Sequence, residues 1–73
     1  MITLDTLRPP QFRSHPHATV EAALASGEEA WLFSGEGDAD VLLGTRDEVV
    51  ADLLVHYERT AWRHGWLLTE VAA

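Results

Sequence analysis

The sequence predicts a single small α+β domain, in which a three-stranded sheet of strand order 2-1-3 packs against one long helix. Three observations support this prediction. Residues 45–64 show helical periodicity with start and stop signals, a strand-like run follows at residues 66–71, and two earlier apolar runs are joined by a short link with two glycines. A chain of 73 residues is long enough for one domain only.

The N-terminal region, residues 1–18, is predicted to be an irregular or mobile arm, and residues 19–73 are predicted to form the α+β domain. The arm contains all three prolines of the chain, Pro9, Pro10 and Pro16. Proline lacks an amide donor and disfavours helix in the residue before it, so regular structure is not expected here. Residues 2–4 are a candidate for a short edge strand.

His15 and His17 form the only metal-like pattern in the chain, because alternate residues of an extended segment face the same way. Two imidazoles are too few for a metal site without a third ligand nearby. No bound metal is therefore expected.

A short helix is predicted for residues 19–26, with Thr19 as its N-cap, several alanines as helix formers and Gly27 as its stop. Val20 and Leu24 lie four residues apart. They are the predicted buried pair of this helix.

Residues 30–34 and 39–43 read as the two strands of a hairpin, joined through residues 35–38. These strands carry apolar residues on both faces. We therefore expect the long helix to cover one face of the sheet, and the short helix with the arm, or a partner, to cover the other.

The long helix begins at a capping box, in which Thr45 and Glu48 exchange hydrogen bonds across the first turn. A rotation of 100° per residue then places seven residues in one arc of about 140°. These predicted core residues are Val49, Val50, Leu53, Leu54, Tyr57, Thr60 and Ala61. His64 and Gly65 supply the basic last turn and the stop.

The opposite side of the long helix carries an apolar stripe of Ala51, Val55 and Trp62. One interpretation is that the arm folds back, so that Leu7 or Phe12 packs on Trp62. The other is that the stripe binds a partner, since an exposed tryptophan with acidic neighbours is a common anchor at protein interfaces.

The net charge of −7 lies entirely between Glu28 and Asp52, where eight acidic residues face Arg46 alone. Direct nucleic-acid binding is not expected, because phosphate contacts need clustered Lys or Arg and the chain has no lysine. An acidic stretch suits a basic protein surface instead. The alternative is that the acids only keep a small domain soluble.

The sequence predicts a non-enzyme without a cofactor. There is no cysteine, and no serine has a local histidine partner. His56 lies four residues after Asp52, a spacing that favours a surface ion pair. The chain shows no signal peptide and no apolar run long enough for a membrane span, so we expect a cytoplasmic monomer.

The hairpin, the helix opened by Thr-x-Asp-Glu, the glycine and the final strand resemble the small phage-encoded inhibitors of host bacterial RNA polymerase. The resemblance covers roughly the C-terminal half of the chain. Its matching residues are Thr45, Asp47, Glu48, Tyr57, Gly65 and the strand at residues 66–71. It implies a protein that binds a polymerase subunit and blocks transcription initiation, with antitermination as a further effect.

Five residues are the candidates for partner binding. They are the hairpin acids Glu36, Asp38 and Asp40, which a turn is expected to project, together with Val55 and Trp62. An alternative function is that of an anti-CRISPR protein, which would mimic DNA with the acidic stretch. A third is a small protein-interaction domain with no inhibitory role.

Overall fold

A mixed four-stranded sheet with two α-helices forms the fold in the computed structural model, which describes residues 1–7, 12–35, 37–56 and 65–73. The elements are β1 (Ile2–Thr3), a 3-10 helix (Leu4–Thr6), α1 (His17–Ala25), β2 (Ala30–Gly35), β3 (Asp38–Leu43), α2 (Arg46–His56) and β4 (Leu67–Ala72). The sheet order is β1-β4-β2-β3. The predicted α+β class is confirmed.

The predicted first, second and third strands correspond to β2, β3 and β4. Their order in the sheet is β3-β2-β4, which is the predicted order 2-1-3. A fourth strand, β1, lies at the edge of the sheet within residues 2–4, the candidate edge strand, so the sheet has one strand more than the predicted three. β1 pairs in parallel with β4, with Ile2 opposite Val71 and Thr3 opposite Ala72. Two residues are too few to show an alternating pattern in the sequence. The pairing joins parts of the chain that are far apart in sequence.

The register of β2 divides the apolar side chains between two faces of the sheet. Leu32 lies opposite Val41 and Thr69 on one face, and Phe33 lies opposite Leu68 on the other. Successive strand residues point to opposite faces, so each face has its own core cluster.

The first face is covered by α1 and by the N-terminal residues. Its buried cluster consists of Leu4, Leu7, Phe12, Val20, Ala30, Val41 and Val71. Three of these residues come from the segment predicted as an arm, so in the structure that segment contributes to the core. Leu7 and Phe12 pack here, on the face away from α2. Trp62, their expected partner, lies outside the described residues.

α1 begins two residues earlier than predicted. Its N-cap is Pro16, whose carbonyl oxygen accepts the N–H groups of Thr19 and Val20 at 3.0 and 3.2 Å. The prediction that Thr19 is the N-cap is therefore wrong. The reason is that proline at the N-cap needs no amide donor, and its extended backbone (φ −60°, ψ 150°) suits the entry to a helix.

α1 ends at a Schellman motif, as the predicted stop at Gly27 requires. Glu28 donates its N–H to the carbonyl of Ala23 at 2.9 Å, and Gly27 donates to that of Leu24 at 3.1 Å. Gly27 has φ +90°, a conformation that residues with a Cβ rarely adopt. The predicted buried residue Val20 is fully buried, whereas Leu24 is partly buried.

α2 begins at the predicted capping box. The N–H of Thr45 donates to Oε1 of Glu48 at 3.1 Å, and the N–H of Glu48 donates to Oγ1 of Thr45 at 3.3 Å. The hydrogen bonds from Thr45, backbone first and side chain second, lower the pKa of the Glu48 carboxyl below its ordinary value of 4.5.

The buried face of α2 is narrower than predicted. Val49 and Leu53 are buried against Phe33, whereas Leu54 is 57% exposed. The prediction that Leu54 is a core residue is therefore wrong. The sheet contacts one stripe of residues four apart, and Leu54 lies 100° around the helix from Leu53. The other predicted core residues Tyr57, Thr60 and Ala61 lie outside the described residues.

Trp66 lies immediately before β4 and packs on the second face of the sheet. Its ring lies 4.9 Å from that of Phe33, measured between centroids, and it packs directly on the backbone of Gly35. A Cβ at residue 35 would come within 2.5 Å of the Trp66 ring, so this contact requires glycine.

We expect Leu53→Ala to lower the free energy of unfolding by about 2–5 kcal/mol, because it removes a fully buried side chain. Leu54→Ala removes the same atoms from a largely exposed position and should change it by less than about 0.5 kcal/mol. Urea denaturation followed by tryptophan fluorescence measures both. Equal losses in the two variants would contradict the observed face of α2.

Glu48→Gln should make stability less dependent on pH in the acid range. The pKa of Glu48 is lower in the folded than in the unfolded chain, so its ionised form contributes stability above the unfolded pKa. That contribution is lost as the pH falls through the folded pKa. Urea midpoints from about pH 6 to pH 3 should therefore fall more steeply for the wild type than for the variant.

Candidate partner-binding surface

Two of the three hairpin acids, Asp38 and Asp40, form ion pairs with an arginine from the N-terminal segment. Nη2 of Arg13 lies 3.7 Å from Oδ2 of Asp38, and its Nε lies 3.6 Å from Oδ1 of Asp40. Asp38 is exposed, but Asp40 is only 5% exposed. The prediction that a turn projects Asp40 towards a partner is therefore wrong. Its position opposite Phe33 places it beside the core of the second face. The third hairpin acid, Glu36, lies outside the described residues.

Arg13 is positioned by hydrogen bonds along the outer edge of β3. Its N–H donates to the carbonyl of Ala39 at 3.3 Å, and Oγ of Ser14 donates to the carbonyl of Val41. These contacts cover part of an edge strand whose polar backbone groups would otherwise face solvent. Sequence reasoning missed this role of Arg13. The general rule that could have indicated it is that the outward backbone groups of an edge strand need hydrogen-bond partners.

A second group of acids gathers at the opposite end of the hairpin, where β2 begins and α2 starts. The group consists of Glu28, Glu29, Asp47, Glu48 and Asp52, all of them exposed. A backbone hydrogen bond brings the two elements that carry these acids together. Gly44 donates its N–H to the carbonyl of Glu29 at 2.9 Å, which places the first turn of α2 beside the start of β2.

Glu29 acts as a second cap for α2. Its Oε2 accepts the N–H of Arg46, the first residue of the helix, at 3.2 Å, and also accepts Nε1–H of Trp31 at 3.3 Å. A carboxylate at this position satisfies an amide that has no partner within the helix, and it lies at the positive end of the helix dipole. Sequence reasoning treated Glu29 only as part of the acidic stretch, because the residue it caps lies 17 positions away.

The other acids of this group that do not cap α2 are Glu28, Asp47 and Asp52. Asp52 lies 3.3 Å from Nε2 of His56 in the surface pair that their spacing predicts. Neither Glu28 nor Asp47 forms an ion pair with any residue that the structure describes. This end of the domain therefore presents negative charge to solvent.

An apolar stripe on the exposed side of α2 adjoins this acidic end. Val55 is 76% exposed and Leu54 57% exposed, and Ala51 is also exposed. Together with Asp47, these residues follow the i, i+4, i+7, i+8 spacing of one helix face, and we call them the outer α2 surface. Val55 thus lies where a partner-binding residue is expected. Trp62, the other apolar candidate, lies outside the described residues.

His17, one of the two histidines of the N-terminal segment, makes local contacts. His17 lies 3.9 Å from Glu21 and stacks on Phe12, with 6.1 Å between ring centroids. Across the four described ranges, no group of three or more His, Cys, Asp or Glu residues lies close enough to hold a metal ion. Neither of the described helices is long and apolar enough to cross a membrane.

Comparison with protein-family models, with curated proteins and with solved structures yields no match.

Asp40 and Asp38 allow a direct test of which hairpin acid is structural. Asp40→Asn should lower the free energy of unfolding by about 1–3 kcal/mol, because it weakens the interaction of a buried carboxylate with Arg13. Asp38→Asn, at an exposed position, should change it by less than about 0.5 kcal/mol. Chemical denaturation of both variants, and of each combined with Arg13→Gln, measures the coupling. Equal coupling of Arg13 to both acids would contradict this assignment.

Proposed function

We propose that this protein is a stoichiometric ligand of host bacterial RNA polymerase that binds a basic surface of one subunit and inhibits transcription initiation. The observation that supports the proposal is the outer α2 surface, where an exposed apolar stripe adjoins acids that form no ion pair with a described residue. The resemblance to phage-encoded polymerase inhibitors motivates the choice of partner. Antitermination is proposed as a second effect of the same binding.

The outer α2 surface has the composition of an interface rather than of an ordinary solvated helix. A surface helix usually turns its apolar side chains to the core, whereas α2 exposes Leu54 and Val55 as well as burying Val49 and Leu53. Burying Leu54 and Val55 under a partner would remove apolar area from water. Acids next to such a stripe favour a partner with Lys or Arg around an apolar centre, and they accelerate encounter with it.

The division of the acids favours a protein partner over mimicry of DNA. A DNA mimic needs a wide face of negative charge, but both of the described hairpin acids form ion pairs with Arg13. The acids near the start of α2 form a smaller group, and this group also contains the cations Arg46 and His56. An anti-CRISPR activity through DNA mimicry is therefore the second candidate, and a protein-interaction domain without inhibitory activity is the third.

Binding to purified bacterial RNA polymerase tests the proposal. Replacing Leu54 and Val55 together by serine should weaken binding at least tenfold, which corresponds to about 1.4 kcal/mol, because the apolar centre of the surface is lost. The variants must keep the wild-type circular dichroism spectrum. Biolayer interferometry at several salt concentrations measures affinity and association rate, and promoter-dependent transcription measures inhibition.

A matched pair of charge variants separates specific steering from net charge. Asp47→Asn with Asp52→Asn should slow association and flatten its salt dependence. Asp5→Asn with Glu21→Gln makes the same charge change at exposed positions on the α1 side of the sheet and should have little effect. Absence of binding at micromolar protein and low salt would rule out polymerase as the partner. Binding to a CRISPR effector complex instead would support the second candidate.

A further inference from the structure

The two edges of the sheet are covered to different extents. The outer edge of β3 receives hydrogen bonds from Arg13 and Ser14. The outer edge of β4 pairs with β1 only at Val71 and Ala72. Among the residues that the structure describes, no strand pairs with the outer side of residues 67–70. Backbone groups that point outward from an edge strand can accept a further strand.

A groove runs over one face of the sheet. It has a volume of about 460 Å³, with Ile2, Leu7 and Leu32 on its apolar side and Arg13 and Asp38 on its polar side. Ile2 pairs with Val71, and Leu32 pairs with Thr69, so two of its lining residues flank β4 on either side, while Arg13 and Asp38 lie towards β3. Leu67 shares this face and is 65% exposed.

We propose that the outer edge of β4 at residues 67–70, with which no described strand pairs, binds an extended segment of a partner protein as an additional strand. Its main chain would pair with β4, and an apolar side chain on one face would enter the groove. This combination of backbone hydrogen bonds with a pocket for alternate side chains is a general mode of peptide recognition. The proposal uses no residue of the outer α2 surface.

The chemistry of β4 defines the segment that it would bind. Leu67 and Thr69 lie on the face with the groove, whereas Glu70 is exposed on the other face. A segment that alternates apolar with basic residues would place its apolar side chains at the groove and a cation near Glu70. Glu70 is the acid that favours such a basic segment at β4, whereas the net charge of −7, which lies elsewhere in the chain, disfavours a second copy by repulsion.

A synthetic octapeptide that alternates valine with lysine is the probe, titrated into the isotopically labelled protein at physiological salt. We expect chemical-shift changes at the amides of residues 67–70 and at Ile2 and Leu32. The outward amides of β4 should exchange with solvent at least tenfold more slowly. The same peptide with alternate backbone nitrogens methylated keeps its side chains but loses donors, and it should bind at least tenfold more weakly.

Three protein variants locate the contact. Thr6→Trp places a large side chain in the groove from an exposed position and should weaken binding of the octapeptide at least fivefold without unfolding the domain. Asp47→Lys and Glu70→Lys are two separate variants that change the net charge equally. Only Glu70→Lys should reduce the chemical-shift changes at β4.

Three results would overturn the proposal. The first is equal binding of the methylated and unmethylated peptides. The second is a set of shift changes confined to α2 and its neighbouring acids, which would indicate electrostatic binding alone. The third is a concentration-dependent dimer in analytical ultracentrifugation that Leu67→Lys abolishes, because the edge would then bind a second copy.

Discussion

The sheet is apolar on both faces, and the rest of the structure depends on this constraint. Leu32 and Phe33 are neighbours on the central strand β2, yet they belong to different core clusters. Neither cluster can stay in water without a large cost in free energy, so each face needs its own cover. α2 supplies it on one face. On the other face α1 is too short to do so alone, and Leu4, Leu7 and Phe12 complete that layer.

Features specified by neighbouring residues could be predicted from the sequence. The capping box at Thr45 and Glu48 and the glycine stop at Gly27 require residues only a few positions apart, and the structure has both. The hairpin and the order of its strands also follow from local signals, because a short link brings adjacent runs side by side. The Asp52–His56 pair is of the same kind.

Features that depend on distant residues could not be predicted. Helical periodicity gives an arc of candidate positions, but the sheet decides that Leu53 is buried and Leu54 exposed. The burial of Asp40 depends on its register opposite Phe33, and the cap from Glu29 depends on a residue in another element. That the N-terminal segment covers one face of the sheet was one of the two expectations, but which of its residues are buried could not be predicted from a segment with three prolines. These exclude regular structure but not burial.

Pairing of β1 with β4 also has a consequence for biosynthesis. Ile2 precedes its partner Val71 by 69 positions in the sequence, so the ribosome adds it well before its partner. During translation the β2–β3 hairpin and α1 can form before β4 is made, but Leu4 and Leu7 must wait for β4 before their layer is complete. The nascent chain therefore exposes apolar surface until β4 has been made, and that interval is when it is most open to chaperones and proteases.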